Sequence, residues 1–187
     1  GARVRKAGLP GEALAGVHYL RTIADVQGIQ PSVVAGKRAV IIGGGYIGLE
    51  TAASLRKQGM EVVVLEMADR VLQRVTAPEL SAFYSRIHRE EGVSIHTGIV
   101  VTALEGNTRV ARVRCANGVY FPADLVIIGV GVVPNVELAQ AAGIAVDNGI
   151  TVDEFARTND PHIVAAGDCA NHFNAIYQRR IRLESVP

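Results

Sequence analysis

Cysteine is scarce in this chain. Cys115 and Cys169 are the two among 187 residues, far apart and in no Cys-x-x-Cys pair. That excludes a disulfide framework, a zinc site or a redox dithiol within the segment, and it fits reduced thiols in the cytoplasm. Charge of one sign is lacking too: 19 Lys and Arg against 18 Asp and Glu leave a net +1. No broad field draws the chain to nucleic acid or to an acidic membrane. The five Tyr and four Phe are scattered, without the basic–aromatic interleaving that stacks on single-stranded nucleic acid. The longest apolar run, residues 125–133, is too short to cross a bilayer. The N-terminus carries Arg3, Arg5 and Lys6 with no apolar core behind them, so it is no signal peptide. It also lacks an initiator Met, and the chain is expected to be an internal piece of a longer one. The five histidines, His18, His88, His96, His162 and His172, show no ligand spacing, and no metal is expected.

What is present is globular. Hydrophobic residues make up 49% and charged residues 20%, enough for one domain or a domain with an extra lobe. Residues 1–20 are punctuated by Gly8, Pro10, Gly11 and Gly16 and read as a loop-rich lead-in. A short helix is expected over 19–27, stopped by Gly28 and Pro31. Residues 39–42 form a continuous apolar run ending in glycines, as in a strand buried on both faces. A helix follows over 46–58, then a second buried strand over 61–65. Pro78 opens another helix, closed by Gly92, and 93–96 is a third strand. Three β runs (100–104, 109–115, 119–121) separated by Gly106-Asn107 and Asn117-Gly118 read as a meander. Residues 124–128 are a fourth long strand. A short helix over 136–142 and apolar segments at 150–153 and 162–168 follow. The order predicts an α/β, Rossmann-like doubly wound parallel sheet with a β-meander crossover, plus a partial second lobe.

Gly43-Gly44-Gly45-Tyr46-Ile47-Gly48 matches Gly-x-Gly-x-x-Gly. Gly43 allows the bend out of the strand, Gly45 lets main chain approach a pyrophosphate, and Gly48 lets the helix pack closely. The helix N-terminus turns unpaired N–H groups and the positive end of its dipole toward the phosphates. Alone, the glycine pattern is weak. Here it lies between a strand and a helix, and the next strand ends at Glu66, about 20 residues on, where an acid meets the adenosine ribose. A carboxylate there accepts from the ribose hydroxyls and repels a 2′-phosphate, favouring NAD(H) over NADP(H). Arg70 and Arg74 leave that preference open, since an arginine in this region can accept the 2′-phosphate.

Four motifs in order carry a resemblance: Gly43-Gly44-Gly45-Tyr46-Ile47-Gly48-Leu49-Glu50, then Glu66 followed by Asp69-Arg70-Val71-Leu72-Gln73-Arg74-Val75, then Gly129-Val130-Gly131-Val132-Val133-Pro134-Asn135, and Ala166-Gly167-Asp168. The chain resembles the FAD-dependent pyridine nucleotide-disulfide oxidoreductase superfamily, and within it the NADH–ferredoxin reductases of the putidaredoxin and rubredoxin reductase type. The likeness extends from Gly1-Ala2-Arg3 to residues 183–187. It implies an NAD-binding domain over 15–136, with 1–14 and 137–187 as parts of an FAD lobe. It implies that Asp168 binds the ribityl chain of FAD, that Glu50 lies near the nicotinamide, and that Gly129, Val130 and Gly131 line the nicotinamide side of the cleft. The family's FAD-binding glycine turn and C-terminal interface domain are not in this segment, so the isolated segment is expected to be inactive.

Read without the resemblance, Asp168 is ordinary turn chemistry after a strand, and Glu50 is an acid favoured by the helix dipole. Arg157 with Asp153 and Glu154 reads as solvated ion pairing. Arg179, Arg180 and Arg182 are either a solvated face or an attractor for an acidic, ferredoxin-like partner. No catalytic side chain is assigned, because hydride transfer from NADH to FAD needs positioning rather than a nucleophile–base pair. A disulfide reductase of the same superfamily and a non-catalytic NAD-binding module remain as alternatives to the leading reading, in which electrons pass from FAD to an iron–sulfur protein.

Overall fold

The computed structural model describes residues 1–184; Ser185, Val186 and Pro187, the end of the 183–187 likeness, lie outside the described residues. Two compact units emerge, Val4–Gly131 and Gly1–Arg3 with Val132–Pro187.

The larger unit is built on a five-stranded sheet. Its strands are β2 (Val17–Tyr19), β3 (Arg38–Ile42), β4 (Glu61–Leu65), β5 (Ser94–His96) and β9 (Leu125–Ile128), preceded in the chain by β1 (Ala2–Val4). They lie in the order β2-β9-β3-β4-β5 with every neighbour parallel. Period-2 alternation divides their apolar side chains between two cores. Ala39, Ile41, Val62, Val64, Leu125 and Ile127 face one side, against Leu49, Ala52 and Leu55 of α2 (Tyr46–Lys57) and Ile29 of α1 (Ile23–Ile29). Tyr84 of α3 (Pro78–Glu90) packs on the same side. Val40, Ile42, Val126 and Ile128 face the other, and there the meander supplies the cover. Its strands are β6 (Val101–Gly106), β7 (Val110–Cys115) and β8 (Tyr120–Pro122), paired antiparallel. Strands buried on both faces explain the unbroken apolar runs in the sequence. The parallel α/β architecture is therefore as expected, with helices on one face and the meander on the other.

Residues 4–14 pack within this unit. Leu9 and Leu14 pack on the meander-side core, and the Leu104 amide donates to Pro10 O at 2.8 Å.

Two local expectations differ from the structure. Tyr19 is not helical: Val17–Tyr19 pairs with β9, and the helix begins only at Ile23. Thr22 sets that start through a capping box, its hydroxyl accepting from the Asp25 amide while the Asp25 carboxylate accepts from the Thr22 amide at 2.7 Å. Gly28 lies inside α1 rather than ending it. Residues 162–168 form no strand. Val164 makes one isolated bridge to Arg157 and stays 66% exposed, and of the apolar residues 163–165 only Ala165 is buried, whereas a strand buried on both faces covers them all.

In the second unit β10 (Val132–Pro134) pairs with β1, and α4 (Glu137–Ala141) follows. β11 (Ile150–Val152), β12 (Ala170–Asn174) and β13 (Arg179–Ile181) make a three-stranded sheet over Val152, Ala165 and Ala170. Among the described residues no helix is long and apolar enough to cross a membrane.

Candidate functional site

The C-terminal ends of β3, β4 and β9 lie side by side in the sheet, and each releases one of the expected segments. The turn 43–48 joins β3 to α2, Glu66 follows β4, and Gly129-Val130-Gly131 follows β9. Crevices at this edge of an open parallel sheet are where such folds bind ligands.

The glycines differ in what surrounds them. Gly43 has φ +111°, and a Cβ there would stand 2.3 Å from Gly129 O. Gly129 in turn donates its amide to Ile42 O at 2.8 Å, so the two loops are in contact. A Cβ on Gly48 would meet Gly43 O at 2.0 Å and Ile41 Cγ2 at 3.4 Å. This position must be bare for α2 to pack onto the turn. At Gly45 the reverse holds: no atom lies within 4 Å of where a Cβ would stand. Gly45 is the N-cap of α2, with no side chain to satisfy the first-turn amides. Its open flank is the shape a diphosphate needs in order to approach main chain.

Glu66 reaches back into this turn. Its Oε2 accepts from the Gly44 amide at 2.6 Å and its Oε1 from the Ala68 amide at 2.8 Å. The carboxylate is only partly buried, and its remaining lone pairs are available to a sugar. Val71 closes the far side of Gly44, with its Cγ1 2.9 Å from a Gly44 Cβ position, and the Leu72 amide donates to Gly44 O at 2.9 Å. Leu72 makes that bond from the left-handed region, φ +55°, although it is buried.

Arg70 has a different role from the phosphate receptor considered above. Its Nη1 donates to Thr76 O at 2.9 Å and to Ser81 Oγ at 2.6 Å, and its Nη2 to Gln73 O at 3.1 Å. The guanidinium therefore staples the loop that covers Gly44. Residue type and spacing alone gave no sign of this, because the acceptors are main-chain carbonyls and a serine on the next helix. Arg74 is exposed and extends toward the third loop, with its Nη2 3.5 Å from where a Gly131 Cβ would stand.

Tyr46 and Ile47 are exposed on the first turn of α2, and Glu50 follows on the exposed side. Asp168 lies in the second unit, partly buried in a short 3-10 turn, Gly167–Cys169. Gly167 has φ +78° and no atom within 4 Å of a Cβ position, so main chain beside Asp168 is open to a close-approaching group.

The basic cluster does not form a free patch. Arg180 Nη1 donates to Val152 O at 3.2 Å and Asn171 O at 2.9 Å, and Arg182 Nη1 to Asp168 O at 2.9 Å. Arg179 lies over the Tyr177 ring. Arg157 pairs with Asp153 at 3.0 Å, both half-exposed, and the ion pair expected with Glu154 is not found among the described residues. Cys115 and Cys169 are buried free thiols, and burial raises the Cys115 pKa.

A family model described as pyridine nucleotide-disulphide oxidoreductase matches residues 1–186. The chain belongs to this family. It is 52% identical over 172 residues to putidaredoxin reductase CamA of Pseudomonas putida, covering 90% of this chain and 41% of that protein. It is 42% identical over 185 residues to the ferredoxin–NAD(+) reductase component of the anthranilate 1,2-dioxygenase system of Burkholderia cepacia, covering 99% and 46%. Among solved structures, the covalent putidaredoxin reductase–putidaredoxin complex superposes with TM-score 0.93 and 48% identity, over 99% of this chain and 46% of that one. The chain thus spans less than half the length of these members of the family.

Proposed function

We propose that the turn 43–48 and Glu66 bind the ADP half of NADH. In the same reading, the whole protein carrying this chain is an NADH-dependent flavoprotein reductase that delivers electrons to a ferredoxin-like iron–sulfur protein. The observation that carries the reading is the pairing of an open Gly45 with a carboxylate anchored on Gly44. The diphosphate meets bare main chain at a helix N-terminus, and the acid faces the ribose. Bound FAD would supply the conversion between a two-electron hydride and single electrons.

The chain's own contribution is placement. Gly43, Gly44, Gly45, Tyr46, Ile47 and Gly48 seat the phosphates, Glu66 selects the unphosphorylated ribose, and Gly129, Val130 and Gly131 with Glu50 frame the nicotinamide. Asp168 holds the ribityl chain. Residues 15–136 serve as the NAD domain in this reading, and 1–14 with 137–187 as the chain segments that join it to the FAD lobe, residues 4–14 packing on the NAD-binding unit. The names of the similar proteins support the electron acceptor, and two buried, unpaired cysteines support the cytoplasm. A titration of the intact flavoprotein with NADH and NADPH tests the proposal. Flavin absorbance should bleach with NADH at far lower concentration than with NADPH, and the electrons should reduce an added ferredoxin. Bleaching by both nucleotides alike, or no bleaching, overturns it.

A further inference from the structure

The turn that carries Asp168 is fixed in part by a side chain from a later segment of the chain. Gly167–Cys169 is a single 3-10 turn whose internal bond runs from the Ala170 amide to Gly167 O, which leaves the Asp168 carbonyl out of it. Arg182 takes up that carbonyl, its Nη1 donating at 2.9 Å, while Nη2 pairs with Glu184 Oε1 at 2.6 Å. The arginine side chain is only 10% exposed, and its Nε is buried without a partner among the described residues. Gly149 makes room for it: a Cβ there would stand 3.0 Å from Arg182 Cδ. A buried guanidinium with an idle N–H is costly, and an apolar side chain of the same length would fill the space without that penalty. What an apolar residue cannot do is fix the Asp168 carbonyl.

We infer that Arg182 is a positioning residue for the flavin, holding the Asp168 turn in the conformation that presents the Asp168 carboxylate to the ribityl chain. The inference rests on the assignment of Asp168 made above. Arg180, two residues earlier and within β13, provides the internal control. It donates in the same way to main-chain oxygens, but to Val152 and Asn171 rather than to the turn. Removing Arg180 loosens the sheet, whereas removing Arg182 frees the ligand-bearing turn.

The test uses the intact flavoprotein with Arg182→Met, Arg182→Lys, Arg180→Met and Asp168→Ala variants. FAD affinity is read by reconstituting the apo-protein and following the quench of flavin fluorescence. Apo melting temperature and NADH affinity are measured beside it. Arg182→Met should weaken FAD binding by about tenfold, the loss of one charge-assisted hydrogen bond. Its melting temperature should fall no further than that of Arg180→Met, its NADH affinity should stay unchanged, and Arg182→Lys should recover part of the loss. FAD affinity equal to wild type, or a loss matched by Arg180→Met, overturns the inference. If Arg182→Met does not fold, Arg182→Gln, too short to reach the Asp168 carbonyl, should still weaken FAD; unchanged affinity there overturns it as well. Asp168→Ala separates the two layers. Unaltered FAD binding in that variant removes the Asp168 assignment itself, while a loss there without one in Arg182→Met removes only the role of Arg182.

Discussion

The Gly44 amide donates to Glu66 Oε2 at 2.6 Å, so the carboxylate proposed to meet the ribose also shapes the glycine turn. Glu66→Ala should raise the NADH dissociation constant roughly 10- to 100-fold, the equivalent of about 1.5–3 kcal/mol for hydrogen bonds to a charged group. NADPH should suffer less, because the repulsion of its 2′-phosphate is lost at the same time. Glu66→Gln, which keeps one acceptor oxygen, should lie between. Calorimetric titration of both nucleotides decides the matter, and equal NADH affinity in wild type and Glu66→Ala would remove the assignment.

Two glycines of the same motif should respond in opposite ways to one methyl group. Gly45 has ordinary φ, −79°, and open space, so Gly45→Ala should cost no more than about 1 kcal/mol, the loss of a favoured N-cap residue, while lowering NADH affinity. Gly48→Ala places its Cβ 2.0 Å from Gly43 O, a main-chain atom that cannot swing aside. Overpacking of this kind costs about 1–3 kcal/mol, worth about 2–4 °C per kcal/mol in a chain of this size. Thermal melts with and without NADH separate the two roles. A Gly45→Ala variant that binds NADH normally would contradict the approach of phosphate to that flank.

The contrast shows what kind of information the sequence holds. The β3–turn–α2–β4 unit was legible to within a residue because burial on both faces and a side-chain-free bend leave one pattern. Val17–Tyr19 was not, since three residues are too few to show a period, and their place beside β9 is decided by pairing with a segment more than 100 residues away. β12 and β13 were missed for a similar reason: three-residue pairings show no period and the arginines of β13 suit a solvated face, and only the structure shows Arg180 spent on the carbonyls of Val152 and Asn171. Glu66 was legible by position, whereas its bond to Gly44 and the stapling by Arg70 depend on side-chain direction.

Arg70 supplies a test of cofactor choice that is independent of Glu66. Were it a 2′-phosphate receptor, Arg70→Met would lower NADPH affinity selectively. Because its donors end on Gln73, Thr76 and Ser81, the loss should instead loosen the loop over Gly44. Both nucleotides should weaken together and the melting temperature should drop. Ser81→Ala should do the same in milder form: Ser81 is 2% exposed, and its hydroxyl also donates to Val71 O at 2.6 Å, so about 1–3 kcal/mol is at stake. A selective loss of NADPH binding in Arg70→Met would restore the phosphate role.

Asp124 links the starts of β9 and β3 and should give the fold an acid-sensitive component. Its Oδ2 accepts from the Arg38 amide and from Arg38 Nε, each at 3.0 Å, with Lys37 Nζ 3.8 Å from Oδ1. The hydrogen bond from the Arg38 side chain, more than any other influence, holds the Asp124 pKa below the ordinary carboxylate value. A carboxylate with a lowered native pKa binds its proton more weakly folded than unfolded. The stabilisation is therefore fully present above the unfolded-state pKa, and it is lost as the pH falls through the lowered native one. Asp124→Asn keeps the shape and deletes the charge, so it should cost about 1 kcal/mol at neutral pH, as partly exposed pairs do. The melting temperatures of wild type and Asp124→Asn should converge as the pH is taken below the ordinary carboxylate range. A gap that stays constant from neutral pH down into acid would show that the charge on Asp124 contributes nothing and that only its hydrogen-bonding shape matters.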